Sequence, residues 1–319
     1  MACRKFPIDP ITPPPPPPPP PPTPEPGPDP GPTPGPSGFF YAASYYGILT
    51  SGGNDGIFLP DLDKLKSLRI SNIRIWFDWA GIKWSPPGGT IVNPDGSLIS
   101  GMVDRLRRVI GYAADRGIRV DLTSGGKECA YNSFDAWLTA LRNVATVFKD
   151  ITTFYPVDVQ NEVTASFGKQ GQTIARVIQA TQLVKSIAPN WPVTASMDGD
   201  VGMIGNNYKQ LIAGGAKIDV LAPHYRRDEG WGDKVSQRTT QLRADLAAVG
   251  ISRPIYVQEE NRDGEPYWSV EQSTRAAAGA KASGATGYCF HTIAGFDVRS
   301  SGYFAHLSSN ELAAMQQLP

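Results

Sequence analysis

The feature that most constrains this sequence is a regular alternation of short apolar segments with amphipathic segments, which runs from Phe39 to the C-terminal end. The short segments are rich in β-branched and aromatic residues, which is typical of buried parallel strands. The amphipathic segments repeat apolar residues at three- and four-residue spacing, which indicates helices with one buried face. Eight strand–helix units in about 280 residues match a closed (β/α)8 TIM barrel, an α/β fold, over residues 38–319. The predicted strands are Phe39–Gly47, Asn72–Asp78, Ile118–Thr123, Val157–Asn161, Pro192–Met197, Ile218–Pro223, Pro254–Gln258 and Thr286–Phe290. The predicted helices are Asp61–Leu68, Gly101–Arg116, Phe134–Lys149, Thr173–Ile187, Asn207–Ala213, Ser236–Val249, Val270–Ala282 and Ser309–Leu318.

The connections between these segments differ in length on the two faces of the predicted barrel. Those from a helix to the next strand are short, as in 115–117, 188–191 and 214–216, whereas many from a strand to the next helix are long. In this fold the functional groups lie at the carboxyl ends of the strands, where the long loops gather. We therefore expect the site at that face.

Glu162 and Glu259 follow the predicted fourth and seventh strands and fall on the loop-rich face. If the two strands lie across from each other, the two side chains can flank one glycosidic bond, one as proton donor and one as nucleophile. Glu260 is the alternative to Glu259, because neighbouring residues of a strand point to opposite sides and a bulge near the strand end would reverse the choice. The pattern predicts chemistry on a sugar polymer.

The order of these residues along the strands resembles the retaining glycoside hydrolases of clan A, the cellulase-like and β-glycanase-like barrels. The resemblance spans the whole barrel, and its specificity comes from strand order because each motif is short. It implies that Glu162 is the acid/base and Glu259 the nucleophile, since the family typically places the nucleophile five residues after a proline that opens the seventh strand. Further positions that agree with the clan pattern are Arg74, Asn161, His224 and Tyr225.

The resemblance also implies roles for the neighbours of the two carboxylates. Arg74 would keep Glu259 ionised through its opposite charge, and the resulting anion would keep the proton on Glu162. His224 or Tyr225 would hydrogen-bond the nucleophile. Asn161 would meet the sugar 2-hydroxyl.

Other residues of the same loops indicate where the substrate differs from that of the family. His291 ends the eighth strand, where a tryptophan that floors the sugar site is common in clan A. Trp76, Trp231 and Trp268 are candidates for sugar subsites, because flat aromatic rings suit the apolar faces of pyranoses; packing in the core is the alternative. These residues bear on the substrate more than on the reaction.

The charge balance narrows the class of partner. The 30 basic and 30 acidic side chains cancel, so the summed charge gives no reason to expect a nucleic acid or an anionic membrane. No apolar run approaches the roughly 18 residues needed to span a bilayer. A polysaccharide or oligosaccharide is the expected partner, and no cofactor or metal is implied. Cys3, Cys129 and Cys289 have neither disulfide-framework nor zinc-site spacing.

The N-terminal residues have a different composition from the rest of the chain. Residues 13–37 include an unbroken run from Pro13 to Pro22, which favours polyproline II and predicts a stiff linker of roughly 70 Å. A disordered tail is the alternative. Residues 1–12 lack the apolar stretch of a secretory signal, so we expect an anchor to a larger assembly, such as a phage particle that degrades extracellular glycan. A lipoprotein that begins at Cys3 is the alternative, but the upstream hydrophobic segment that it requires is missing.

Two rival interpretations remain at this point. Glu162, Asp198, His224 and Glu259 end neighbouring strands and are of the ligand types that hold a divalent metal in sugar-isomerase barrels. The other rival is a barrel that binds glycan without cleaving it. Loss of activity in a chelator would favour the first, and binding without turnover the second.

Overall fold

The computed structural model describes residues 36–49, 55–78, 89–125, 131–163, 174–225, 231–259, 269–291, 303–304 and 307–318. The chain divides into one unit at 1–30 and another at 31–319, and every described residue belongs to the second. The predicted anchor at 1–12 and all but the last two residues of the predicted linker at 13–37 lie outside the described residues.

Short strands alternate with helices through the described part of the chain, as the hydrophobic pattern predicts. The strands are β1 (Phe40–Ser44), β2 (Ile70–Trp76), β3 (Arg119–Thr123), β4 (Phe154–Asp158), β5 (Val193–Thr194), β6 (Met197–Gly199), β7 (Pro223–Tyr225), β8 (Tyr256–Val257) and β9 (Gly287–Phe290). The α-helices are α1 (Asp55–Ser67), α2 (Ser100–Asp115), α3 (Phe134–Phe148), α4 (Ile174–Ile187), α5 (Val201–Ala213), α6 (Trp231–Ala247), α7 (Val270–Ala282) and α8 (Ser309–Gln316).

The strands form a curled parallel sheet. Seven of them pair in the order β5-β4-β3-β2-β1-β9-β8, and β6 pairs with β7 in a second parallel sheet. Isolated parallel bridges between Leu221 and Ile255 and between His224 and Glu259 link the β7 region to the β8 region. Because all these strands are parallel, their carboxyl ends meet at one edge, and this edge carries both predicted carboxylates.

The structure differs from the sequence prediction at several boundaries. The predicted fifth strand is divided into β5 and β6, and between them the backbone N–H of Ser196 donates to Asp158 Oδ1 at 3.0 Å instead of joining a ladder. The predicted sixth strand is reduced to β7 and the bridge at Leu221. Helix α1 begins at Asp55, before its internal Pro60, although proline usually marks a helix start.

Apolar side chains fill the space between the sheet and the helices. Every residue of β1, β4 and β9 is buried, as expected for strands covered on both sides. A second, smaller cluster of buried residues comprises Phe40, Ala42, Tyr155, Val220, Tyr256 and Cys289. Among the helices that the structure describes, none combines the length and apolar character needed to cross a bilayer.

Candidate active site

Arg74 of β2 is the central cation of the site. Its side chain is fully buried, and its guanidinium donates to Glu259 Oε1, to Asn161 Oδ1 at 2.7 Å and to Thr123 Oγ1 at 3.1 Å. The same group lies 4.3 Å from the ring centroid of Trp76, two residues further along the strand. The rigid fork of the guanidinium thereby fixes side chains from three separate chain segments.

Glu259 lies beside Arg74 and two histidines at the carboxyl end of β8. Its side chain is 5% exposed, and its Oε2 is 3.5 Å from His224 Nδ1 and 3.6 Å from His291 Nε2. Burial alone would raise the pKa of Glu259, but His224, His291 and Arg74 together outweigh burial and hold the pKa below its ordinary value. The carboxylate is therefore held in its ionised form.

Glu162 approaches the same site from the segment that follows β4. Its φ of 51° lies in the left-handed region, which costs a non-glycine residue about 1 kcal/mol or more, and its backbone N–H donates to Ser196 Oγ at 3.0 Å. This conformation interrupts the strand alternation, so consecutive residues Asn161 and Glu162 both reach the site. The Glu162 side chain is 27% exposed, far more than that of Glu259.

His224 of β7 touches both carboxylates. Its Nδ1 is 3.5 Å from Glu162 Oε1 and 3.5 Å from Glu259 Oε2, and its Nε2 is 3.0 Å from Gln258 Oε1. Burial would lower the pKa of His224, but the two carboxylates outweigh burial and raise the pKa above its ordinary value. The two acids therefore favour the charged form of the imidazole that lies between them.

Two further acids lie beneath the site in the sheet interior. Asp121 of β3 and Asp158 of β4 are fully buried, and each has an oxygen 3.6 Å from the Arg74 guanidinium. Burial raises the pKa of Asp121 to about 7, although Arg74 and a hydrogen bond from Gln258 oppose the shift. Burial likewise raises the pKa of Asp158, and Arg74 again opposes. Arg74 is thus shared among three buried carboxylates.

The remaining predicted residues have different positions. Trp76 is 1% exposed, directly against Arg74. Tyr225 packs in the main core, and its hydroxyl donates to Thr239 Oγ1 of α6 at 3.1 Å. Of the two residues predicted to contact the nucleophile, His224 therefore lies at the carboxylates and Tyr225 does not. Trp231 begins α6, and nothing is described of its side chain; Glu260 and Trp268 lie outside the described residues.

A metal could be held by part of the same group. Glu162, His224 and Glu259 each offer one ligand atom, and these atoms lie within 4.8 Å of one another. They are three of the four predicted metal ligands, and Asp198 is not part of this group. Arg74, which donates to Glu259, would repel a divalent cation at this position.

Several residues of the site were not predicted from the sequence. Gln258 connects His224 to Asp121, because its Nε2 donates to Asp121 Oδ2 at 2.8 Å. Ser44 of β1 lies 2.9 Å from His291 Nδ1. Polar residues inside otherwise apolar strands, such as Arg74 and Asp121, are the sequence signal that would have found the buried network, since a polar group in a covered strand requires a partner.

No protein-family model matches the sequence. No curated protein matches it by sequence either. Solved structures do match it, at low sequence identity but over most of its length.

Glycoside hydrolases are among these structures. The exo-β-1,4-mannosidase Op5Man5 from Opitutaceae bacterium strain TAV5 is 15% identical with a TM-score of 0.59 and covers 79% of this chain, which spans only 51% of that protein. A glycoside hydrolase family 5 mannosidase from Rhizomucor miehei is 11% identical with a TM-score of 0.59, covering 78% of this chain and 80% of its own. An endoglucanase is 14% identical with a TM-score of 0.61, covering 86% and 96%. This chain therefore has the fold of the clan A glycoside hydrolases.

Proposed function

We propose that this chain is a retaining glycoside hydrolase that cleaves a β-linked polysaccharide, with Glu162 as the acid/base and Glu259 as the nucleophile. The observation that carries the proposal is the meeting of both carboxylates at His224 Nδ1, with their oxygens within 4.8 Å of each other. A separation of about 5 Å suits double displacement, whereas an inverting pair needs roughly 6.5–9.5 Å to admit a water molecule. The proposal includes a complete (β/α)8 barrel, for which the inter-sheet bridges at Leu221 and His224 are support.

In the first step, Glu162 gives its proton to the glycosidic oxygen as the bond from that oxygen to the anomeric carbon breaks. A carboxylate oxygen of Glu259 forms the new bond to the anomeric carbon, giving a glycosyl ester. In the second step, water attacks that carbon, passes a proton to Glu162 and releases Glu259 as carboxylate. The anomeric configuration is inverted twice and so retained.

The environments of the two acids support this division of roles. Arg74 and two histidines favour the anionic form of Glu259, as a nucleophile requires. The greater exposure of Glu162 suits a group that exchanges protons with substrate and water in every cycle. Asn161 uses its oxygen to accept from Arg74, which leaves its amide nitrogen as a donor for a sugar hydroxyl.

The substrate class follows from the fold neighbours and from charge. One neighbour is named an exo-β-1,4-mannosidase and another an endoglucanase, which supports a β-linked hexose polymer as the substrate of this chain. The endo action that we propose is supported by the endoglucanase alone. Trp231 and Trp268 would contact the sugar rings, with Glu260 as the alternative nucleophile. Trp76 is buried against Arg74, so it packs in the core and is not part of a sugar subsite.

The test is release of reducing ends from β-glucans, mannans, xylans and bacterial surface polysaccharides by the wild type, Glu162→Gln and Glu259→Gln. Turnover of one polymer that both substitutions abolish supports the proposal. A wild type that binds a glycan and cleaves none would instead make the barrel a recognition module.

The grouping of Glu162, His224 and Glu259 supports a second candidate function, a metal-dependent sugar isomerase. Such an enzyme would convert a free sugar into its ketose isomer and lose activity in a chelator. Because Arg74 opposes a divalent cation here, the hydrolase is favoured.

We also propose that residues 13–37 are a tether and residues 1–12 an anchor to a larger assembly, such as a phage particle that degrades host-surface glycan. The proline run supports a stiff spacer. Deletion of 1–37 should release the protein from the particle and leave turnover of a soluble oligosaccharide unchanged. Particles that retain the truncated chain would rule out the anchor.

A further inference from the structure

Two histidines flank the same oxygen of Glu259, and their other nitrogens have different buried partners. His224 presents Nδ1 to Oε2 at 3.5 Å, whereas His291 presents Nε2 to it at 3.6 Å. A neutral imidazole has one N–H and one lone pair, and the partner of one nitrogen decides which of them the other nitrogen offers. The hydrogen-bond partners of the two rings therefore decide whether each ring offers an N–H or a lone pair to Glu259.

The partner of His291 is a hydroxyl that can supply a hydrogen. Ser44 Oγ lies 2.9 Å from His291 Nδ1 and 3.6 Å from Cys289 Sγ. Burial raises the pKa of Cys289 to about 12, so the thiol keeps its hydrogen. Because imidazole nitrogen accepts more strongly than sulfur, the Ser44 hydroxyl donates to Nδ1. Neutral His291 then carries its own hydrogen on Nε2, directed at Glu259.

The partner of His224 is an oxygen that can only accept. Gln258 donates through Nε2 to Asp121 Oδ2 at 2.8 Å, which orients its amide so that Oε1 faces His224 Nε2 at 3.0 Å. The hydrogen of neutral His224 must therefore reside on Nε2. Its Nδ1 would then present a lone pair to two carboxylates, and only protonation of the ring turns Nδ1 into a donor.

We propose, building on the hydrolase proposed above, that Ser44 and Gln258 are positioning residues that decide where each neutral histidine carries its hydrogen. In His291 the hydrogen is on the nitrogen that faces Glu259, whereas in His224 it is on the nitrogen that faces away from Glu259. His291 donates its Nε2–H to Glu259 whether or not the ring is charged, whereas His224 donates from Nδ1 only as an imidazolium. The nucleophile thus has one donor that does not depend on the charge of its ring and a second that does.

The charged groups around His224 agree with this titration. Glu162 and Asp158 face it from the β4 segment, Glu259 from the β8 segment and Arg74 from β2. Burial lowers the pKa of His224, but the carboxylates raise it by more than burial and Arg74 lower it. The imidazolium therefore persists above the ordinary range for histidine.

Glu259 and Ser44 are the two described partners of His291 on which the inference rests. Glu259 faces it from the β8 segment, and the Cys289 thiol lies behind Ser44. Its donor role needs no titration.

The test is a ¹⁵N NMR titration of histidine-labelled full-length protein without substrate. The chain has three histidines, of which His306 is the third, so single substitutions of His291 and His306 assign the imidazole signals. We expect neutral His291 as the Nε2–H form and neutral His224 likewise as an Nε2–H form, with Nδ1 of His224 protonated only in the charged ring. The Ser44→Ala variant should lose the single Nε2–H form of His291. It should also move the acid limb of the kcat/KM profile to higher pH, because Glu259 loses a fixed donor.

Ser273→Ala is the matched control, since Ser273 is a fully buried serine of α7 whose hydroxyl donates to a backbone carbonyl. It should change neither the His291 signals nor the pH profile. A wild-type His291 that carries its neutral hydrogen on Nδ1, or a Ser44→Ala variant with unchanged His291 signals, would overturn the inference. Gln258→Met should let neutral His224 adopt the Nδ1–H form. If His224 kept the Nε2–H form in this variant, the part of the inference that concerns Gln258 and His224 would be overturned. The spectra are read without turnover, so an inactive protein with the expected tautomers would count against the proposed hydrolase alone.

Discussion

Arg74→Met should cost this protein much of its stability, and the cost should depend on pH. The substitution removes the cation shared by Glu259, Asp121 and Asp158 but keeps an apolar side chain over Trp76. Removing one partner of a buried ion pair costs about 3–5 kcal/mol, and the lost hydrogen bonds to neutral acceptors add about 1 kcal/mol each. The lower end of the sum, about 5 kcal/mol, compares with a typical domain stability of about 5–15 kcal/mol.

The pH dependence follows from what Arg74 does to the acids. It lowers the pKa values of Glu259, Asp121 and Asp158, so its removal raises all three in the folded state. When the pKa of a carboxyl group is higher in the folded than in the unfolded state, the protein loses stability as the pH rises from the unfolded value to the folded one. The variant should therefore recover part of its loss between pH 8 and pH 5.

Thermal unfolding of both proteins at pH 5 and pH 8 measures this effect. A loss of about 5 kcal/mol corresponds to a Tm decrease of roughly 10–20 °C at pH 8, with a clearly smaller decrease at pH 5. Arg275→Met, which removes a half-exposed partner of Glu271 on α7, is the control and should change Tm little. Equal decreases at the two pH values, or a decrease no larger than the control, would refute the reasoning.

Three further predictions test the acids and the metal alternative. Burial raises the pKa of Asp121 to about 7, so the wild type should lose at most about 4 kcal/mol of stability as the pH rises from about 4 to about 7. Asp121→Asn should not show this loss. If urea unfolding gave both proteins the same change in stability between pH 5 and pH 8, the prediction would be contradicted. Glu162→Gln should lower kcat on polysaccharide by about 10²–10⁴-fold but far less on an aryl glycoside whose leaving group needs no proton, whereas Glu259→Gln should abolish both activities in a spectrophotometric assay. Dialysis against EDTA should leave turnover unchanged, and activity restored only by added Mg²⁺ or Mn²⁺ would favour the metal candidate.

The sequence supported the fold better than the site. Hydrophobic periodicity predicted the positions of most strands that the structure describes, because burial on both faces leaves a continuous apolar run that can be recognised without tertiary information. It failed where tertiary contacts decide, as at Ser196, whose N–H bonds Asp158 and divides the predicted fifth strand. It also missed the early start of α1 at Asp55, because Pro60 masks the helical pattern.

The meeting of Glu162 and Glu259 was predicted from the ends of parallel strands, which lie at one edge of the sheet, whereas Arg74 and His224 were predicted only through the resemblance to clan A. The left-handed conformation of Glu162 was not predicted, because it depends on the tertiary hydrogen bond from its N–H to Ser196. The hydrogen-bond partners of the two histidines could not be predicted from the sequence either. Ser44 and His291 are 247 residues apart, and periodicity carries no information about such a pair.

The central claim is that Glu162 and Glu259 act by double displacement on a β-glycosidic bond. The most direct test is ¹H NMR of the first product formed from a cleaved β-linked oligosaccharide, recorded before mutarotation equilibrates the anomers. The account predicts that the β-anomer appears first and the α-anomer follows by mutarotation. First appearance of the α-anomer would mean inversion and would contradict the assignment of Glu259 as the nucleophile.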